Sequence, residues 1–227
     1  MTGQSPTLFI TGATGCLGKA LAIAALPFNP TLILHGRNAD KLSMLDDEIQ
    51  ALSSTKTLLW PADFTLLTDD NLLQYFQNFE HHLQQIDFFF NCATDSGQQM
   101  PLLQENNQSW TQALLINCNQ PRNILKFALP LLQASPNAGV YFFDEQLQQS
   151  YQGSYGMSKH MLHYLIDQLT KEFQNTSTIT CNMLKLPPLC SALRAKRFPG
   201  ENPSLNQSAT QQANKIISTL MPRFVGH

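Results

Sequence analysis

Charge is scarce in this chain of 227 residues: Asp, Glu, Lys and Arg make up 13% of it, and the formal net charge is -2. Nucleic acid and anionic membrane surfaces are held by a basic field, which this balance does not supply, so neither is an expected partner. Asparagine and glutamine carry much of the polar surface instead. Paired cysteines are also missing. Cys16, Cys92, Cys118, Cys181 and Cys190 are scattered, with no C-x-x-C and no histidine at metal-ligand spacing. No metal site is expected, and the thiols read as reduced ones of a cytoplasmic protein. His81 and His82 read as a solvated helix end. No charged segment followed by a long apolar stretch opens the chain, and no run approaches the ~20 apolar residues of a membrane span. A signal peptide and a membrane helix are therefore not expected.

What is present is an alternation of short apolar runs with stretches of helical periodicity. Thr7 to Thr11 (TLFIT) breaks at glycine, and Leu17 to Leu26 follows as a helix that stops at Pro27. Thr31 to His35, Thr57 to Trp60, Ile86 to Phe90, Val140 to Phe143 and Thr178 to Leu186 read as further strands. Helices are expected from Asn38 to Leu52, with its leucines and Met44 at helical intervals, and from Thr68 to Leu83, with Leu72, Leu73, Phe76 and Phe79 likewise spaced. Two more span Trp110 to Leu132 and Ser154 to Phe173, and a last one about Thr210 to Leu220. Strands that alternate with helices need crossovers, and right-handed crossovers build a doubly wound parallel sheet. The expected fold class is α/β, a Rossmann sheet of about six strands with helices on both faces, in a single domain over residues 1–227. The loop-rich stretch at about 189–212 lies where a substrate loop would leave the last strand.

Three glycines, Gly12, Gly15 and Gly18, punctuate the exit of the first strand. A helix start leaves backbone N–H groups unpaired at the positive end of its dipole, and glycines let a pyrophosphate approach them. The second strand ends in Leu34-His35-Gly36-Arg37, where an acidic residue would bind a ribose 2′-hydroxyl. A guanidinium there favours NADP(H) over NAD(H). Asp63, after the third strand, could accept from the adenine amine or cap a turn. Tyr155 and Lys159 stand one helical turn apart, about 5 to 6 Å on one face. An ammonium beside a phenol favours its ionised form, and such a phenol beside a nicotinamide can trade a proton with a carbinol. Pro121, four residues after Asn117, has no N–H to offer the Asn117 carbonyl, so a helix through both is expected to bend.

Taken together these residues resemble the short-chain dehydrogenase/reductase family over essentially the whole chain. Thr11-Gly12 with Gly18 resembles its first glycine motif, with the middle glycine one place early; Asn91-Cys92-Ala93-Thr94 is similar to its Asn-Asn-Ala-Gly, and Tyr155 with Lys159 matches its Tyr-x-x-x-Lys. Asn117 falls at its catalytic asparagine, whose carbonyl in the family holds a relay water, and Pro187-Pro188 stands where Pro-Gly follows strand six. The resemblance implies cofactor contacts at Gly12, Thr14, Gly15, Cys16, Leu17, Gly18, Arg37, Asp63, Asn91, Ala93, Tyr155, Lys159 and Pro187, and a small carbonyl or alcohol substrate. Two departures stand out. The family's serine, thirteen positions before the tyrosine, is here Phe142, and no Ser or Thr occurs between Val140 and Gln149. A shortened loop could bring Asp144 or Glu145 to that place, and Asp144 is taken as a candidate catalytic group beside Tyr155, Lys159 and Asn117; Ser150 and Ser154 are weaker substitutes. Only residues 223–227 remain where a seventh strand would close the sheet, which leaves six strands and a homodimer through the long helices, or a monomer. A second class of function stays open: a dinucleotide-binding sensor or scaffold that lost turnover with its serine.

Overall fold

The computed structural model describes residues 5–145 and 149–222. Strands β1 (Thr7–Thr11), β2 (Thr31–Gly36), β3 (Lys56–Pro61), β4 (Phe88–Asn91), β5 (Gly139–Asp144) and β6 (Thr180–Lys185) form one sheet in the order β3-β2-β1-β4-β5-β6, every pair parallel. The order reverses between β1 and β4. Crossovers leave on opposite faces there, which opens a crevice beyond the carboxyl ends of those two strands.

Side chains alternate across a strand, so each central strand feeds two cores. Phe9, Ile33, Phe89, Val140 and Phe142 face α3 (Asp69–His82), α5 (Gln120–Ala134) and α6 (Gly153–Phe173). Leu8, Ile10, Leu32, Leu34, Phe88, Phe90 and Tyr141 face α1 (Cys16–Ala25), α2 (Ala39–Leu52) and α8 (Ala209–Leu220). The Phe88-Phe89-Phe90 run is thus a buried strand shared by both layers. Trp60 is a packing residue, its ring centroid 5.7 Å from that of Phe9.

Helical spacing overreached at three positions. Met44, Leu52 and Leu73 are 69%, 62% and 45% exposed, because the buried stripes run through Leu42, Leu45 and Ile49, and through Leu72, Phe76 and Phe79. The single helix expected from Trp110 to Leu132 is composite. It comprises α4 (Asn107–Leu114), a π-helical turn at Leu115–Asn119, and α5. Pro121 cannot donate to the Asn117 carbonyl, and the chain widens there, the Gln120 N–H reaching back to the Leu115 carbonyl. The loop after β6 is more ordered than its prolines suggest. It contains α7 (Ala192–Arg197), capped by the Ser191 hydroxyl, which accepts from the Arg194 N–H at 3.0 Å. Residues 223–227 lie outside the described residues.

Candidate active site

Gly12 leaves β1 at φ 64, a left-handed conformation, and a Cβ there would stand 2.6 Å from the Ala93 nitrogen. At Gly18 a Cβ would stand 2.4 Å from the Gly12 carbonyl oxygen, so α1 packs against the turn only because both positions are bare. Gly15 caps α1 with no side chain bonded to the helix start. This is a cradle for an anion: open backbone donors, a positive dipole end and no side chain in the way.

The cradle floors a cleft of about 990 Å³. Gly12, Thr14, Gly15, Cys16, Leu17, Gly18, Arg37, Asp63, Asn91, Ala93 and Lys159 all line it. Tyr155 and Pro187 do not; Leu186 and Leu189 flank the place expected of Pro187. Arg37 is exposed at the end of β2, as a contact for an incoming phosphate needs. Asp63 is a turn cap, its Oδ1 accepting from the Thr65 N–H at 2.8 Å and the Thr65 hydroxyl at 2.7 Å. The Thr11 hydroxyl donates to Asn91 Oδ1 at 2.8 Å, which locks the exits of β1 and β4 together.

His35 was not foreseen. Alternation along β2 puts it on the Ile33 side, under the cleft, stacked on Phe64 at 4.1 Å between ring centroids. Its Nδ1 accepts from the Gly12 N–H at 3.2 Å and its Nε2 donates to the Ala62 carbonyl at 3.0 Å. The ring ties the glycine turn to the exit of β3. Burial holds its pKa down at about 4, against the pull of the Ala62 carbonyl and of Asp63.

Around the tyrosine the structure corrects the expectation. Tyr155 is fully buried, and its hydroxyl donates to Glu145 Oε1 at 2.7 Å. Lys159 Nζ lies 5.5 Å from the phenol ring centroid but donates to the Phe143 carbonyl at 3.3 Å. The phenol is therefore pushed above its ordinary range, by burial first and then by the charge and hydrogen bond of Glu145; Arg197 and the Thr94 hydroxyl pull the other way. Burial lowers the Lys159 ammonium, which Glu145 and Asp144 counter. Asp144 is not the carboxylate at the tyrosine: its Oδ2 is turned toward α6, 3.3 Å from His163 Nε2. Glu145, the first residue past β5, takes that place and lines the cleft.

The serines do not substitute. Ser150 is exposed. The Ser154 N–H and hydroxyl both donate to Glu105, whose carboxylate caps α6. Asn117 is buried, its Oδ1 accepting from the Asp95 N–H at 2.7 Å and the Thr94 hydroxyl at 3.1 Å, its Nδ2 donating to the Asp95 carbonyl at 2.8 Å and Ser158 Oγ at 2.9 Å. From the π-turn it pins the strand-four loop that forms the cleft wall. Arg197 of α7 closes the site from above: its guanidinium carbon lies 4.2 Å from the Tyr155 ring centroid, Nη1 donates to the Ser96 carbonyl and Nη2 to Gln152 Oε1.

Residues 6–202 match the family model described as short chain dehydrogenase. The uncharacterized oxidoreductase YciK of Escherichia coli K12 is 25% identical over 221 residues, which cover 96% of this chain and 84% of that protein. A solved short chain dehydrogenase from Salmonella enterica serovar Typhi superposes with a TM-score of 0.89 at 22% identity, covering 98% of this chain and 92% of that one. A Shigella flexneri 2a protein solved in complex with NADP superposes at 0.87 and 23% identity, covering 99% and 92%. With the family model spanning most of the sequence and the same sheet, crevice and glycine cradle in place, this chain belongs to the short-chain dehydrogenase family of oxidoreductases.

Proposed function

We propose that the protein is an NADP(H)-dependent oxidoreductase that interconverts a small carbonyl compound and its alcohol. One observation carries this reading. The bare glycine cradle and Lys159 share a cleft that Glu145 also lines, and Glu145 is hydrogen-bonded to the Tyr155 hydroxyl at 2.7 Å. The residues present fit a dinucleotide. Backbone donors in the first turn of α1, left clear by the bare Gly12 and Gly15, would hold the pyrophosphate, Arg37 the 2′-phosphate, and Lys159 the nicotinamide ribose. The NADP complex of the Shigella neighbour supports the choice of cofactor. Bound there, the nicotinamide supplies or accepts the hydride. The protein's own part is to exclude water, to orient the reacting carbon, and to move a proton at the Tyr155 oxygen.

One observation favours a second reading, a dinucleotide-binding sensor or scaffold: Tyr155 is fully buried and outside the cleft lining. Two measurements separate them. A thermal-shift titration with NADPH reads binding, and NADPH consumption with a panel of aldehydes and ketones reads chemistry. The enzyme reading expects both signals in the wild type, and in Tyr155→Phe an unchanged melting shift with turnover down about 100-fold or more. Binding with no turnover anywhere in the panel would establish the sensor instead.

A further inference from the structure

The stretch after β6 leaves the fold and returns to it at a tied base. Leu189 and Gln207 form an isolated parallel bridge, with the Gln207 N–H donating to the Pro188 carbonyl at 2.8 Å and the Cys190 N–H to the Gln207 carbonyl at 3.0 Å. Between those ends the chain is stapled to itself. Arg194 donates from Nε and Nη2 to the two Glu201 carboxylate oxygens, each at 2.7 Å, and Asn206 Nδ2 donates to Glu201 Oε2 at 3.0 Å. The Arg194 guanidinium carbon also lies 3.9 Å from the Phe198 ring centroid. A strap with close ends and bonds of its own can move as one piece.

This strap is held down by one side chain. Arg197 is the only buried residue of 190–207, at 3% exposure. Away from the tied base, both hydrogen bonds that leave the strap among the described residues start at its guanidinium. They end on the Ser96 carbonyl, past β4, and on Gln152 Oε1, before α6, while the same group covers the Tyr155 ring at 4.2 Å. The attachment is a weak one. Among the described residues no carboxylate stands within ion-pair distance of this buried cation, Glu145 acting on it from beyond that distance. Arg197 Nε and Gln152 Nε2 are buried without an acceptor in the protein. A segment that fully buries no apolar side chain, and leaves donors unpaired when shut, lies at the low-stability end of a fold, because water satisfies those donors when it opens.

We propose that residues 190–207 are a gate over Tyr155 and that Arg197 is its latch. Shut, the guanidinium bridges the loop after β4 to the start of α6 and lies on the phenol ring. Open, the strap swings on the Leu189–Gln207 base and the ring is uncovered from above. The latch is a property of the fold, and its use rests on the proposed oxidoreductase function, since a site that needs Tyr155 needs the gate open. The complete burial of Tyr155 is then the burial of one of two states.

The test uses the full chain without cofactor: wild type, Arg197→Ala, and Lys196→Ala as a neighbour whose side chain is exposed. In wild type, hydrogen exchange should find the α7 amides opening together, at least about 100-fold more often than those in the middle of α6. Protection of α7 equal to that of α6 overturns the gate. Trypsin cleavage after Arg194, a bond common to all three proteins, should speed up about tenfold or more in Arg197→Ala and stay within about twofold in Lys196→Ala. Hydroxyl-radical oxidation of the Tyr155 ring should rise about threefold or more in Arg197→Ala alone, with the exposed Tyr151 and Tyr164 as references. Cleavage or oxidation unchanged in Arg197→Ala overturns the latch. Should that variant melt early, Arg197→Lys, which keeps the charge and loses the two-pronged bond, takes its place in the same assays. NADPH added to wild type should slow the cleavage, since Leu189, Ser191 and Leu193 line the cleft. With no slowing and no melting shift the proposed function fails, while the latch is judged on the cofactor-free readouts.

Discussion

At the scale of single residues, the site is held by side chains whose charge state is set by burial. His35 is the clearest case. Its folded pKa of about 4 lies below the ordinary imidazole value of 6.5, so the unfolded chain binds the extra proton first. The stability that neutral His35 contributes is complete above about pH 6.5 and is lost as pH falls toward 4. Its upper limit is about 3 kcal/mol. Urea unfolding between pH 4 and 7 is expected to show that slope in wild type and a shallower one in His35→Phe. That variant should also be less stable at pH 7 by about 1 to 3 kcal/mol, since the Gly12 N–H loses its acceptor. An equal slope in both proteins would refute the assignment. Nothing in the run Thr31 to His35 marks this histidine as special; only the packing of Ala62, Phe64 and Gly12 around it does.

At the scale of elements, the turn from β1 into α1 is written in the sequence because its requirements are local. A left-handed φ of 64 at Gly12 and a close approach at Gly18 need bare residues, and the chain supplies them at those positions. Gly18→Val would drive a branched side chain into the Gly12 carbonyl, which is backbone and cannot swing aside. A loss of about 1 to 3 kcal/mol and of the NADPH melting shift is expected. Gly200→Ala is the control, because nothing lies within 4 Å of a Cβ there. If both variants bind NADPH alike, the cradle is not the cofactor site. The helix carrying Asn117 was half legible. Pro121 announced a disturbance, but whether the chain would bend, break or widen depended on which neighbours could use the freed groups.

At the scale of the whole molecule, one helix near the end of the chain supports the first one. Ala213, Ile217 and Met221 are buried in the same core as Ala13, Leu17 and Leu21, so α8 fixes the back of the helix whose front is the anion cradle. Ile217, 1% exposed, is the position to test. Ile217→Asp would bury an unpaired carboxylate and is expected to cost several kcal/mol, lowering Tm by about 10 °C and weakening NADPH binding with it. Leu205→Asp, at a residue 79% exposed, should change neither. A cofactor affinity unmoved by Ile217→Asp would show that the cradle stands without α8.

The sequence alone determined a doubly wound parallel sheet of about six strands and the glycine turn into the first helix, because periodicity and backbone freedom are properties of neighbouring residues. It also showed that the usual serine was missing. Tertiary structure decided which carboxylate stands at the tyrosine: Asp144 and Glu145 are adjacent, and only the path of the chain out of β5 turns one toward His163 and the other to the phenol. The same holds for Arg197, which meets the Ser96 carbonyl across 101 positions of sequence, and for the depth at which Tyr155 is buried. Protonation at such a site depends on the charges and the solvent that folding brings to it or removes, and no spacing of residues along the chain records either.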